Sequence, residues 1–150
     1  MAAITIQAVP NESGGEVVVF GNRAGQIIMA ATSLSASTAV PVTNWTGRGI
    51  MAFMNVSSAF PVSASTTYCL KVKAVDPTGP GNTYVTLGAA TPRSASGVST
   101  VCVYPGITVS AGVNCQVNMA CPRDLVIVAS LSTGATSKEV VLSLGMMIIK

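Results

Sequence analysis

Histidine is absent from this chain of 150 residues, and charged residues make up only 9% of it. The side chain most often used as a general base near neutral pH is therefore missing, and a serine or cysteine nucleophile has no imidazole beside it. The five acidic residues stand singly, so none of them forms half of a carboxylate dyad. We predict that the protein is not an enzyme and has no catalytic residues and no cofactor.

The sequence also lacks long runs of basic residues and long runs of apolar residues. The eight basic residues are scattered singly, whereas nucleic-acid binding needs a basic patch with interleaved aromatics. No stretch reaches the roughly 18 apolar residues of a membrane helix, and the first residues lack the basic and apolar regions of a secretory signal. We therefore expect no nucleic-acid partner and no membrane association.

Four cysteines, Cys69, Cys102, Cys115 and Cys121, allow three disulfide pairings, and their spacing does not choose among them. They lack the close Cys-x-x-Cys pairs of zinc ribbons, so we predict no metal site. We expect reduced thiols that are buried as small hydrophobic side chains. A secreted sandwich held by two disulfides is the alternative.

The hydrophobic pattern has a period of two, which is typical of strands. Thr67 to Val75 places apolar residues at 68, 70, 72 and 74 on one face, with Cys69, Lys71 and Lys73 on the other. Val113 to Met119 alternates in the same way and predicts inward residues at 113, 115, 117 and 119. Further strands are predicted at 4–8, 16–20, 26–31, 50–56, 84–89, 98–104, 125–131 and 140–149. The fold class predicted is all-β, an antiparallel β-sandwich of jelly-roll or Ig-like type.

A polar, glycine-containing stretch at residues 11–15 separates the first strand from the next. We divide the chain into residues 1–20, an N-terminal arm or an ordinary edge strand, and residues 21–150, the sandwich. Ile4 and Ile6 would reach a partner if the segment is an arm. Trp45, the only tryptophan, precedes the strongest central strand and is either buried or part of an interface. Ile4, Ile6 and Trp45 are thus the candidate interface residues.

Few charges and many apolar residues favour a surface that is covered in an assembly. From Trp45 to Ile149 the chain also carries an ordered set of turn motifs between strands. These are Arg48-Gly49, Asp76-Pro77, Tyr104-Pro105-Gly106 and Pro122-Arg123. In this order they resemble a family of small virion proteins of tailed bacteriophages that includes capsid decoration, or cement, proteins. The first 44 residues and the insertion Gly79-Pro80-Gly81 lie outside the resemblance.

The resemblance implies a structural role in the virion. A rigid sandwich, as a homotrimer, would sit on the outside of the icosahedral head over local three-fold positions. There it would bridge subunits of the major capsid protein, after assembly in the host cytoplasm. The resemblance implies no catalytic residues.

A second interpretation from a different class is an adhesion module of the tail or a fibre that binds carbohydrate. It would need exposed aromatic rings, with Trp45 the first candidate.

Overall fold

The computed structural model describes residues 5–10, 16–21, 27–31, 35–44, 48–59, 67–75, 84–132 and 138–149. Side chains are described for residues 39–44, 48–56, 67–75, 84–132 and 142–149. This part of the chain is built from strands and contains no helix, and hence no helix that is long and apolar enough to cross a membrane. In chain order the strands are β1 (Thr5–Pro10), β2 (Glu16–Gly21), β3 (Ile27–Ala31), β4 (Ser35–Thr43), β5 (Gly49–Ala59), β6 (Thr67–Val75), β7 (Tyr84–Ala89), β8 (Gly97–Val103), β9 (Asn114–Val117), β10 (Asp124–Ser132) and β11 (Lys138–Ile149).

Two sheets pack face to face, which confirms the predicted β-sandwich. The seven-stranded sheet has the order β1-β2-β11-β5-β8-β9, with β3 pairing to the other part of β11. The four-stranded sheet has the order β4-β10-β6-β7. The core between the sheets is formed by inward side chains of both, among them Ile50, Met54, Leu70, Ile127 and Leu144, all fully buried.

Strand β6 shows why the alternating pattern is reliable. Its residues 68, 70, 72 and 74 are buried, and Lys71 and Lys73 lie on the opposite face, as predicted. β10 pairs with β6 in antiparallel register, with Leu125 opposite Ala74 and Leu131 opposite Tyr68. Because both strands turn their large apolar residues the same way, each residue pair contributes to one continuous core.

Strand β4 was not predicted. Ser35–Thr43 is rich in serine, threonine and alanine and has no clear apolar alternation, yet it pairs with β10 along its whole length. It lies at the edge of the four-stranded sheet and carries Pro41, which has no N–H to donate. An edge is where a sheet tolerates proline, because one side of the strand has no neighbour to bond.

Strand β9 differs from the prediction in two ways. It spans Asn114–Val117, and Val113, predicted to point inward, precedes the strand and is 37% exposed. The Val113 carbonyl instead accepts a hydrogen bond from the Thr100 N–H at 2.9 Å, which holds it at the start of the strand. β9 also runs parallel to β8, whereas the other strand pairs described are antiparallel.

The N-terminal residues that the structure describes belong to the larger sheet. β1 pairs with β2 in antiparallel register, with Thr5 opposite Gly21, and β2 pairs with β11. β1 is thus one edge strand of the seven-stranded sheet, and β9 lies at the other end of the strand order. The domain boundary after residue 20 stays a prediction.

Candidate functional site

One end of the sandwich brings together three of the four motifs on which the resemblance rests. We call it the motif end; it comprises Asn44, Arg48-Gly49, Val75, Tyr84, residues 103–106, residues 117–124 and Ile149. β5 starts here beside the end of β11, with Gly49 opposite Ile149, and beside the end of β8, with Ile50 opposite Val103. In the other sheet, β10 starts beside the ends of β4 and β6. Motifs that are up to 75 residues apart in the sequence are therefore neighbours in space.

Arg48-Gly49 and Tyr104-Pro105-Gly106 are in direct contact. A Cβ atom at Gly49 would overlap the carbonyl oxygen of Val103 and the ring of Tyr104, so only glycine allows this close approach. Gly106 has a φ of +85°, which is the left-handed conformation that a turn after Pro105 requires. Its N–H donates to the side-chain oxygen of Asn118 at 2.9 Å, which ties the turn to the segment after β9.

Pro122-Arg123 joins the same end through the backbone. The N–H of Asn44 donates to the Arg123 carbonyl at 2.6 Å, and the N–H of Arg48 donates to the Ile149 carbonyl at 2.8 Å. Asp76-Pro77 lies outside the described residues. It follows Val75 directly, and Val75 is the end of β6 beside the start of β10.

Apolar side chains are exposed where the four-stranded sheet reaches the motif end. Val75 and Tyr84 face each other across β6 and β7, and Val85 follows. Their exposed fractions are 39%, 40% and 52%, which are high for a valine or tyrosine in a strand. Our sequence reasoning missed this group. The pattern that could have indicated these exposed residues is an apolar residue on each side of the turn-forming stretch 76–83.

Two of the three predicted interface residues, Ile4 and Trp45, lie outside the described residues. Ile6 lies within β1, opposite Phe20 of β2, and its side chain lies outside them. The three therefore stay predictions. Tyr84 is the one exposed aromatic side chain in the described part of the chain, and the adhesion-module interpretation, with Trp45 as its first candidate, stays a prediction.

The four cysteines are free thiols, and three of them are buried, which confirms the prediction that they pack as small apolar side chains. Cys69 donates to the Ala90 carbonyl at 3.1 Å. Burial raises the pKa of the Cys69, Cys102 and Cys121 thiols. At Cys121 a hydrogen bond with Asn44 partly offsets the rise in pKa, whereas the nearby Cys102 adds to it. Thiols with a raised pKa are weak nucleophiles at neutral pH.

Charged side chains are sparse and separate in the described part. Asp124 is the one carboxylate whose side chain is described, and no group of three potential metal ligands occurs there. Arg93 serves the fold, since its guanidinium donates to the carbonyls of Val98 at 2.6 Å and Ser96 at 3.2 Å. The arrangement offers surfaces for binding and, within these residues, no cluster for acid–base or nucleophilic chemistry.

The motif end is formed by backbone pairings that join distant parts of the chain, whereas the exposed apolar group lies on the consecutive strands β6 and β7. A similar protein would have to share the sandwich and the order of its turns. Comparison found no matching family model, no similar curated protein and no similar solved structure.

Proposed function

We propose that this protein is a capsid decoration protein of a tailed bacteriophage. As a homotrimer on the outside of the head, it stabilises the shell by bridging subunits of the major capsid protein. The observation that carries the proposal is the convergence of Arg48-Gly49, Tyr104-Pro105-Gly106 and Pro122-Arg123 at one end of the sandwich. Motifs that share one structural unit are a stronger basis for a resemblance than turns scattered over a surface.

The surface of the protein supports a binding role. Val75 and Tyr84 are exposed opposite each other on one face of β6 and β7, Val85 is exposed on the other face, and charged groups are few on the described surface. Apolar groups of this kind are usually covered by a partner. Within an oligomer bound to a closed shell, each weak contact holds the other binding sites close to the shell. The higher effective concentration makes the attachment of the whole oligomer much stronger than any single contact.

The test adds the purified protein to purified phage heads that were assembled without it. We expect saturable binding, and heads that release their DNA at a higher temperature once the protein is bound. No binding at any concentration up to that of the shell protein would overturn the proposed function.

The same assay tests the predicted interface residues Ile4 and Ile6. Replacing both by serine removes two apolar side chains, each contributing about 1.5–3 kcal/mol when fully buried, so affinity for the heads should fall at least about tenfold. The matched control replaces Ala2 and Ala3 by serine, which leaves both isoleucines in place and should bind as the unmodified protein does. Equal binding by both variants would show that Ile4 and Ile6 do not contact the shell.

A further inference from the structure

The outer face of the four-stranded sheet combines two lysines with small apolar residues. Alternation turns Lys71 and Lys73 of β6 away from the core, and it does the same for Val126 and Val128 of the neighbouring β10. On the far side of β10, Ala39 and Pro41 of β4 stand opposite Val128 and Val126 and are exposed. We call these six residues the lysine face: Ala39, Pro41, Lys71, Lys73, Val126 and Val128.

In the described part of the chain, neither lysine stands directly opposite an acidic residue. Lys71 lies between Val128 and Ala89 in the cross-strand register, and Lys73 lies between Val126 and Thr86. No ion pair joins either lysine to another residue in the described part of the chain, although Asp124 occupies the position diagonal to Lys73. Residues directly opposite each other form the stabilising cross-strand charge pairs, and the register gives neither lysine such a pair.

Small apolar residues of β10 and β4 lie beside the lysines on this face. Val126 is only 3% exposed although it points away from the core, because its neighbours include the long side chain of Lys73 and the ring of Pro41. Lysine stems often cover apolar surface in this way while the charged group stays in water. The exposed face of an antiparallel sheet is usually polar, whereas three of the four residues directly opposite these lysines are the apolar Val126, Val128 and Ala89, and the fourth is Thr86.

We propose that the lysine face docks on a protein surface that presents carboxylates. Residues two apart on one face of a strand are about 6.6 Å apart, so the partner would offer acidic groups at a similar spacing around an apolar patch. Charge complementarity argues for a protein rather than a polyanion such as nucleic acid, because two lysines on an apolar face are too few to neutralise a phosphate backbone. The identification of this partner as the phage shell rests on the proposed function.

The first experiment measures binding to heads assembled without the protein. In K71E/K73E we expect affinity to fall at least about tenfold, and K71R/K73R should restore most of it because the positive charges are kept. The charge-matched control R23E/K138E removes as many positive charges from elsewhere in the chain and should bind nearly normally. Raising the salt from about 0.05 M to about 0.5 M should weaken the unmodified protein more than K71E/K73E, because added ions screen exposed charges.

The second experiment does not depend on the shell and maps binding of a hexaglutamate peptide by NMR. We expect shifts of the amide signals of β6 and β10 near Lys71 and Lys73, and no such shifts in K71E/K73E. Circular dichroism and the melting temperature of each variant check that it is folded, and K71Q/K73Q replaces K71E/K73E if the latter is not.

The outcomes separate the two proposals. Normal head binding by K71E/K73E, or peptide shifts that map away from the lysine face, would overturn the inference and leave the proposed function standing. Peptide shifts at the lysine face, with no binding of the unmodified protein to heads, would support an acidic protein partner and overturn the capsid function.

Discussion

At the scale of the residue, glycine occupies a position where any larger side chain would overlap a neighbouring group. Gly145 of β11 lies opposite Phe53 of β5, and a Cβ atom at 145 would overlap the Phe53 ring. Both residues are on the outer face of the seven-stranded sheet, where the ring covers the glycine and leaves it buried. The sequence alone did not predict this contact, since a glycine within an apolar run gives no sign of the aromatic residue across the strand.

We expect Gly145→Ala to destabilise the fold by about 1–3 kcal/mol, the usual cost of forcing extra atoms into a packed site. Urea unfolding of the purified protein gives the change in free energy. In a Phe53→Ala background the same substitution should cost less than half as much, because the ring that it displaces is gone. Equal costs in the two backgrounds would contradict the contact.

The thiols predict a dependence of stability on pH. Because burial raises the pKa of Cys69, Cys102 and Cys121 in the folded state, the unfolded chain loses these protons first as pH rises. Their contribution to stability is complete below the ordinary thiol pKa of about 8.5 and is lost progressively as pH rises through the folded values.

The free energy of unfolding should therefore fall between about pH 7.5 and about pH 9.5, the range around the ordinary thiol pKa. Urea unfolding at several pH values measures this slope. C69A/C102A/C121A, if it folds, should show a shallower slope than the unmodified protein. An identical slope would contradict a thiol origin.

At the scale of the element, the sequence predicted strands that alternate or are apolar throughout and missed the strand built from small and hydroxyl-bearing residues. β6 was predicted with its bounds and its buried face because apolar and polar residues alternate in Thr67–Val75. β4 was missed because serine, threonine and alanine hardly distinguish the faces of a strand in Ser35–Thr43. The parallel pairing of β9 with β8 was equally hidden, since the pattern of a single strand carries no information about its partner.

Pro41 lies in β4, an edge strand of the four-stranded sheet. An edge strand exposes unpaired backbone groups to which another chain could add, and proline removes one donor and disturbs such pairing. We expect Pro41→Thr to leave the protein folded and to increase self-association, measured by light scattering against concentration. Ala39→Thr on the same face of β4 is the matched control and should not change the scattering. If both variants scatter alike, Pro41 has no protective role.

At the scale of the whole molecule, the activity that we propose is binding. The sequence predicted the sandwich from strand patterns, and it predicted the motif end only as an ordered set of turns. Their convergence depends on long-range pairings such as Gly49 with Ile149 and Ile50 with Val103, which no local pattern contains. Identifying the lysine face likewise required the register of β10 against β6, which the sequence does not contain. Binding through such surfaces suits a shell, where many copies attach side by side.

The copy number of this protein in purified phage particles tests the central proposal most directly. Quantitative mass spectrometry would measure it against the major capsid protein of the same particles. A decoration protein that occupies the shell should be present in numbers comparable to the shell protein. A few copies per particle would place the protein in the tail, and its absence from the particles would contradict a role in the virion.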